Sequence, residues 1–263
     1  MKHNAVKAKM NRGEPSFGVW LADGPSPARI EFYGRLGFEF VIIDTEHLAI
    51  RQESLLELVR ACDVVGMVPI VRPPNHSADT ILSYLDMGVL GLYFCHVQSA
   101  ENARAIVDRV KYAPLGSRSA ALSRSSDWGL TQTPKDYFRQ ANEETMIILL
   151  LEDVIGLSNV DEILKVEGVD VVTPTGASDI SHSMGYVGER DHPEVVKAIR
   201  EAEKKIAAAG VPFDCEPENA ADAREAIARG ARLIPFYERP MLRTLFGGVL
   251  REVLADATKS STH

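Results

Sequence analysis

The chain has 263 residues, 45% of them hydrophobic, and a formal net charge of −8 at pH 7. That length suits one α/β barrel or two smaller domains and is enough to bury a large core. The acidic balance argues against a general nucleic-acid surface, and no stretch approaches the ~20 apolar residues of a membrane span. The basic N-terminus, MKHNAVKAKMNRGEPS, lacks the apolar run of a signal peptide. Cys62, Cys95 and Cys215 stand apart in apolar surroundings, as buried thiols do. A soluble, cytoplasmic protein is expected.

Eight apolar runs read as strands: Phe17–Ala22, Phe38–Asp44, Met67–Val71, Leu90–Cys95, Met146–Glu152, Val169–Thr173, Val211–Cys215 and Leu233–Phe236. Runs without polar alternation are strands buried on both faces, as in a parallel sheet covered by helices. Helical segments separate them. Arg51–Val65 sets Leu55, Leu56, Leu58 and Val59 on one face, and Ser99–Val110 opens with a Ser cap and an acidic first turn. Pro193–Ala209 starts with proline and stops before Gly210, and Ala220–Ala228 stops before Gly230 in the same way. This alternation predicts a (β/α)₈ TIM barrel in a single domain spanning residues 1–263. A doubly wound sheet is the runner-up, but no G-x-G-x-x-G follows the first strand. Lys111–Ala141 is a long insertion, expected to cover the site or a subunit contact. Met241–Ala257 is an apolar-rich helix expected to pack outside its own barrel in an oligomer.

In such a barrel the C-terminal strand ends carry the chemistry. The second strand ends in Asp44, Glu46 and His47, the third is followed by Arg72, and the fifth closes with Glu152 after five aliphatic residues. Asp179 lies beyond the sixth, in Thr175-Gly176-Ala177-Ser178-Asp179. Two carboxylates on neighbouring strands suit a hard divalent cation such as Mg²⁺ or Mn²⁺. The plainer reading of Glu152 is a buried ion pair. Arg72, on a rigid base before Pro73-Pro74, suits a carboxylate or an oxyanion. His47 reads as a general acid or base oriented by Asp44, or as a structural histidine. Asp86 ends a helix and is equally readable as an ordinary ion-pair residue. His96 and His182 are weaker candidates to line the site. The Gly176-Ala177-Ser178 turn offers backbone N–H groups to an anion, or is simply a tight loop.

Together these residues resemble the HpcH/HpaI family of metal-dependent, class II pyruvate aldolases, the enzymes of 4-hydroxy-2-oxoheptanedioate and 2-keto-3-deoxy acids. The resemblance runs from about Phe17 to the last helix. It is carried by Gly18-Val19-Trp20-Leu21, Ile43-Asp44-Thr45-Glu46-His47, Val71-Arg72-Pro73 and Leu85-Asp86-Met87-Gly88. Tyr112-Ala113-Pro114-Leu115-Gly116-Ser117-Arg118, Glu152, Gly176-Ala177-Ser178-Asp179-Ile180-Ser181 and His192-Pro193-Glu194-Val195 continue it.

The resemblance implies a divalent cation, Mg²⁺ or Mn²⁺ with Co²⁺ as a further candidate, on Glu152 and Asp179. It implies pyruvate or a close analogue and an aldehyde as substrates, joined or cleaved through an enolate that the cation stabilises. Arg72 would stabilise the enolate or keto oxygen, Asp44 and His47 would move the proton, and Asp86 would help position that dyad. Gly176, Ala177 and Ser178 would hold the substrate carboxylate, and Trp20 would wall the pocket. The family's assembly implies a homohexamer, a trimer of dimers. Leu150 stands where the family often has Gln, and 171–176 looks one residue long. Ser119-Ala120-Ala121 replaces a glycine-rich run. These departures keep two alternatives open: a decarboxylase of the oxaloacetate type, and a barrel that binds a 2-oxo acid without turnover.

Overall fold

The computed structural model describes residues 1–260, with side chains to residue 255. Its strands are β1 (Ser16–Leu21), β2 (Phe40–Asp44), β3 (Val68–Arg72), β4 (Gly91–Phe94), β5 (Met146–Leu150), β6 (Val171–Thr173), β7 (Phe213–Asp214) and β8 (Ala231–Tyr237). All pair in parallel, in the order β6-β5-β4-β3-β2-β1-β8-β7. Across the remaining seam, the Val172 N–H donates to the Pro212 carbonyl at 3.2 Å. Helices separate the strands, so the expected (β/α)₈ barrel is present and nearly closed.

The apolar runs are continuous because alternate residues serve different cores. Trp20, Phe40, Ile42, Ile70, Tyr93, Ile148 and Leu150 fill the barrel. Val41, Ile43, Val71, Leu92, Ile147 and Leu149 point outward into the layer shared with the helices. Each such buried side chain contributes roughly 1.5–3 kcal/mol, so a shift of strand register by one residue would exchange the two layers at high cost.

The bottom of the barrel is plugged by a helix that the basic N-terminal sequence does not announce. Ala5–Asn11 is capped by the Asn4 side chain, which accepts from the Lys7 N–H. The same side chain donates to the carbonyls of Leu90 and Glu144, both at 3.1 Å. Val6 and Met10 then extend the barrel's interior core. The pattern was hidden because only two of the seven helical residues face inward.

A helix that joins two parallel strands runs back from the C-terminal end of one toward the N-terminal end of the next. Helix Ala78–Met87 therefore carries Asp86 to the N-terminal rim, where Arg118 Nη2 lies 2.9 Å from its Oδ1. The insertion 111–141 follows helix Ala100–Val110 and stands at that same rim, so it does not cover the C-terminal mouth of its own barrel. The last helix, Glu238–Ser260, starts directly after β8, and Leu245, Phe246, Val249, Leu250 and Val253 along it are exposed. Among the described residues, no helix is long and apolar enough to cross a membrane.

Candidate active site

The C-terminal ends of β2 and β3 lie side by side, with Asp44 and Arg72 as register partners. The Asp44 carboxylate takes the Arg72 guanidinium on both oxygens: Nε is 3.1 Å from Oδ1, and Nη2 contacts Oδ2. Asp44 Oδ1 also accepts from the backbone N–H groups of Glu46, at 3.0 Å, and His47, at 3.1 Å. Burial opposes ionisation of Asp44, but Arg72 and these donors prevail and hold its pKa below the usual value. Asp44 thus meets His47 through its backbone, whereas the imidazole is 71% exposed at the mouth and 3.8 Å from Glu46 Oε2. The expected Asp44–His47 side-chain dyad is not formed, because Arg72 and the turn occupy the carboxylate. Asp86, at the other rim with Arg118, is not brought to this group either.

Arg72 lies between an aromatic floor and a second carboxylate. Its Cζ is 4.9 Å from the Trp20 ring centroid, and Nη1 is 3.2 Å from Glu46 Oε2. Trp20 stacks on Tyr237 at 4.7 Å and meets Tyr93 edge-on at 5.0 Å. Its Nε1 is buried without a partner.

Glu152 stands just past β5 and is 6% exposed. Burial raises its pKa, opposed by His96 and reinforced by Asp179 and Glu46. The His96 N–H donates to Oε1 at 2.8 Å, and the ring Nδ1 lies 2.7 Å from the same oxygen. Gly176 has φ +81 and opens the helix Ala177–Ser183. A Cβ at Gly176 would stand 3.6 Å from Glu152 Oε2 and 3.9 Å from Asp179 Oδ2. Only glycine leaves that point open in this backbone conformation. Ala177 is half-buried, and Ser178 and Asp179 are exposed at the mouth. Among the described residues, no three His, Cys, Asp or Glu side chains form a metal-ready cluster. The two carboxylates around the Gly176 gap nevertheless fit a small cation that keeps positions open for other oxygen ligands.

A third group was missed by sequence reasoning. Asp214, at the end of β7, is buried and accepts from Tyr93 at 2.8 Å, from Thr175 at 3.1 Å and from Thr173. Burial pushes its pKa up to about 7. Glu216 accepts from the Gly176 N–H at 3.3 Å and lines a cavity of about 280 Å³ with Thr175, Ala177 and Arg190. The signal was available: Phe213-Asp214-Cys215-Glu216 is a carboxylate at a strand end, the pattern that singled out Glu152. Leu150, the departure beside Glu152, lies in the barrel's interior core.

A nearly closed parallel barrel with ionisable groups gathered at its C-terminal mouth is the architecture of many enzymes. The chain belongs to the HpcH/HpaI aldolase/citrate lyase family, whose model matches residues 16–236. It is 31% identical over 243 residues to a 2-keto-3-deoxy-L-rhamnonate aldolase of Klebsiella pneumoniae, covering 92% of this chain and 89% of that one. It is 35% identical over 233 residues to a hydroxypyruvate/pyruvate aldolase of Deinococcus radiodurans, covering 88% and 82%. The solved structure of an HpcH/HpaI aldolase from Desulfitobacterium hafniense is similar with a TM-score of 0.86 at 28% identity, covering 94% of this chain and 95% of that chain. The protein is a carbon–carbon lyase, which excludes the non-catalytic barrel.

Proposed function

We propose that this enzyme cleaves or forms 4-hydroxy-2-oxo acids, with pyruvate or a close analogue and a small aldehyde as the partners. The observation that carries this reading is the gap at Gly176, faced by the Glu152 and Asp179 carboxylates, with Glu152 linked through His96 and Glu46 to Arg72. Glu152 and Asp179 would hold a divalent cation, Mg²⁺, Mn²⁺ or Co²⁺. When bound, that ion supplies Lewis-acid polarisation of a chelating 2-oxo acid. The backbone N–H groups of Ala177 and Ser178, set by the turn at Gly176 whose own N–H is taken by Glu216, orient the substrate carboxylate. Arg72, held by Asp44 and Glu46 over Trp20, donates to the keto oxygen as negative charge grows there. His47, on the turn that Asp44 fixes, moves the proton of the C4 hydroxyl. Trp20 closes the floor and excludes water. The relatives' printed names, aldolases of keto-deoxy acids and of hydroxypyruvate or pyruvate, support the substrate class.

A second reading, decarboxylation of an oxaloacetate-type acid, gains weight from His47. That ring is exposed and has no carboxylate partner in Asp44, and decarboxylation needs no base on the aldehyde side. The exposed apolar residues of Glu238–Ser260 support assembly with further copies, as a hexamer built from dimers. A cytoplasmic site of action belongs to the same proposal and rests on the acidic, soluble-type composition. The deciding test is pyruvate release from a 4-hydroxy-2-oxo acid before and after EDTA, with Mn²⁺ added back. Turnover that survives the chelator would reject the cation.

A further inference from the structure

The two oxygens of Glu152 have unlike surroundings. Oε1 is engaged twice by one residue, through the His96 backbone N–H at 2.8 Å and the ring Nδ1 at 2.7 Å. Oε2 is on the side of Gly176 and Asp179. His96 reaches Oε1 with both groups from a backbone at φ +56, a left-handed conformation uncommon outside glycine and costly to hold. The ring's other nitrogen, Nε2, lies 3.0 Å from Glu46 Oε1. Glu46 Oε2 in turn is 3.2 Å from Arg72 Nη1. One chain of contacts therefore runs Glu152, His96, Glu46, Arg72, Asp44 across the ends of four neighbouring strands.

We propose that His96 is the positioning residue of the cation site: by occupying Glu152 Oε1 with its backbone N–H and its ring Nδ1, it leaves Oε2 alone to meet a divalent ion shared with Asp179. This rests on the reading that Glu152 and Asp179 hold a cation. A carboxylate limited to one oxygen suits a small octahedral ion such as Mg²⁺ or Mn²⁺. A carboxylate free to offer both oxygens suits the larger Ca²⁺, which accepts bidentate ligands at longer distances. His96 thus sets ion selectivity without touching the ion. Through Glu46 it also fixes the spacing between the cation carboxylate and Arg72. The arrangement has the form of an outer-sphere support, whose loss typically weakens metal binding 10–100-fold.

Two substitutions separate this role from a general structural one. His96→Gly tolerates the left-handed backbone and keeps the backbone donor but removes the ring. His96→Asn also tolerates that backbone and restores a side-chain N–H near the Nδ1 position, without reaching Glu46. The full-length protein is titrated calorimetrically with MnCl₂ and separately with CaCl₂, without substrate, after a thermal melt of each variant. His96→Gly should weaken Mn²⁺ binding by about 10–100-fold and Ca²⁺ binding much less, narrowing the preference for Mn²⁺. His96→Asn should bring Mn²⁺ affinity back toward that of the unaltered protein. Unchanged Mn²⁺ affinity in His96→Gly, or Asn binding as weakly as Gly, overturns the role given to His96. Absence of Mn²⁺ uptake by the unaltered protein overturns the cation reading itself, a distinct result.

Discussion

Arg72 and Asp44 are register partners on adjacent strands, and the guanidinium covers both oxygens of a carboxylate that is 1% exposed. The pair leaves Nη1 turned toward Glu46 and the ring of Trp20 beneath. A lysine keeps the charge but not the planar fork, so it cannot satisfy Asp44 and face a substrate oxygen together. Arg72→Lys should lower kcat by about 10²–10³-fold, the loss typical of one oxyanion donor, with a folded protein. Arg72→Ala should also destabilise the chain by about 3–5 kcal/mol, because Asp44 is left buried without its partner. Steady-state kinetics and denaturant melts of both variants separate the catalytic from the structural loss. Equal kcat in Arg72→Lys would remove Arg72 from the reaction.

His47 decides between the two lyase reactions. Its ring is exposed, its backbone is anchored by Asp44, and substitution leaves no buried group unpaired. His47→Ala should therefore fold normally and lose about 10²–10⁴-fold of aldol cleavage, the range for a general acid–base. Oxaloacetate decarboxylation by the same variant should be nearly unchanged. If both reactions persist at full rate, the proton is moved by another group.

The assembly can be tested on the last helix. Leu245, Phe246, Val249 and Leu250 present apolar side chains to solvent within one chain, a surface that oligomers cover. Replacing Phe246 and Leu250 by Glu should reduce the mass measured by light scattering to a smaller multiple of 28.9 kDa. An unchanged mass would show that this face is not the contact.

How much of this was legible beforehand depends on whether the signal is local. The strands were, because burial on both faces writes itself as unbroken apolar runs such as Phe40–Ile43. Glu152 and Arg72 were, because a charge directly after such a run has one place to go in a barrel. Their partners were not. Nothing in the spacing tells that Asp44 pairs with Arg72 rather than with His47, because strand pairing sets that contact across 28 residues. Asp86 stays apart from them within one chain for a related reason: direction along the helix, not proximity to β3, decides which rim it reaches. His96 was visible as a strand-end histidine, but its left-handed backbone has no sequence mark. The N-terminal helix escaped because only Val6 and Met10 of its seven residues are buried, too few to write a helical pattern.

Asp214 gives the final prediction, on stability against pH. It sits inside the barrel with its oxygens on Thr173, Thr175 and Tyr93, and burial pushes its pKa up to about 7. In the unfolded chain an aspartate titrates near ~3.9. Between these values the folded protein keeps a proton that the unfolded chain has released. Stability from this group is therefore full below pH ~4, falls as pH rises, and is lost above about 7. Asp214→Asn keeps the size and hydrogen-bonding capacity but cannot ionise. The variant should match the unaltered protein near pH 4.5 and exceed it at pH 8 by roughly 2–4 kcal/mol. Denaturant melts across pH 4.5–8.5 read the difference directly. A gap that does not widen with pH would mean that the barrel solvates the Asp214 charge as well as water does, and the three hydroxyls around it would then be its stabilising partners rather than remnants of a neutral network.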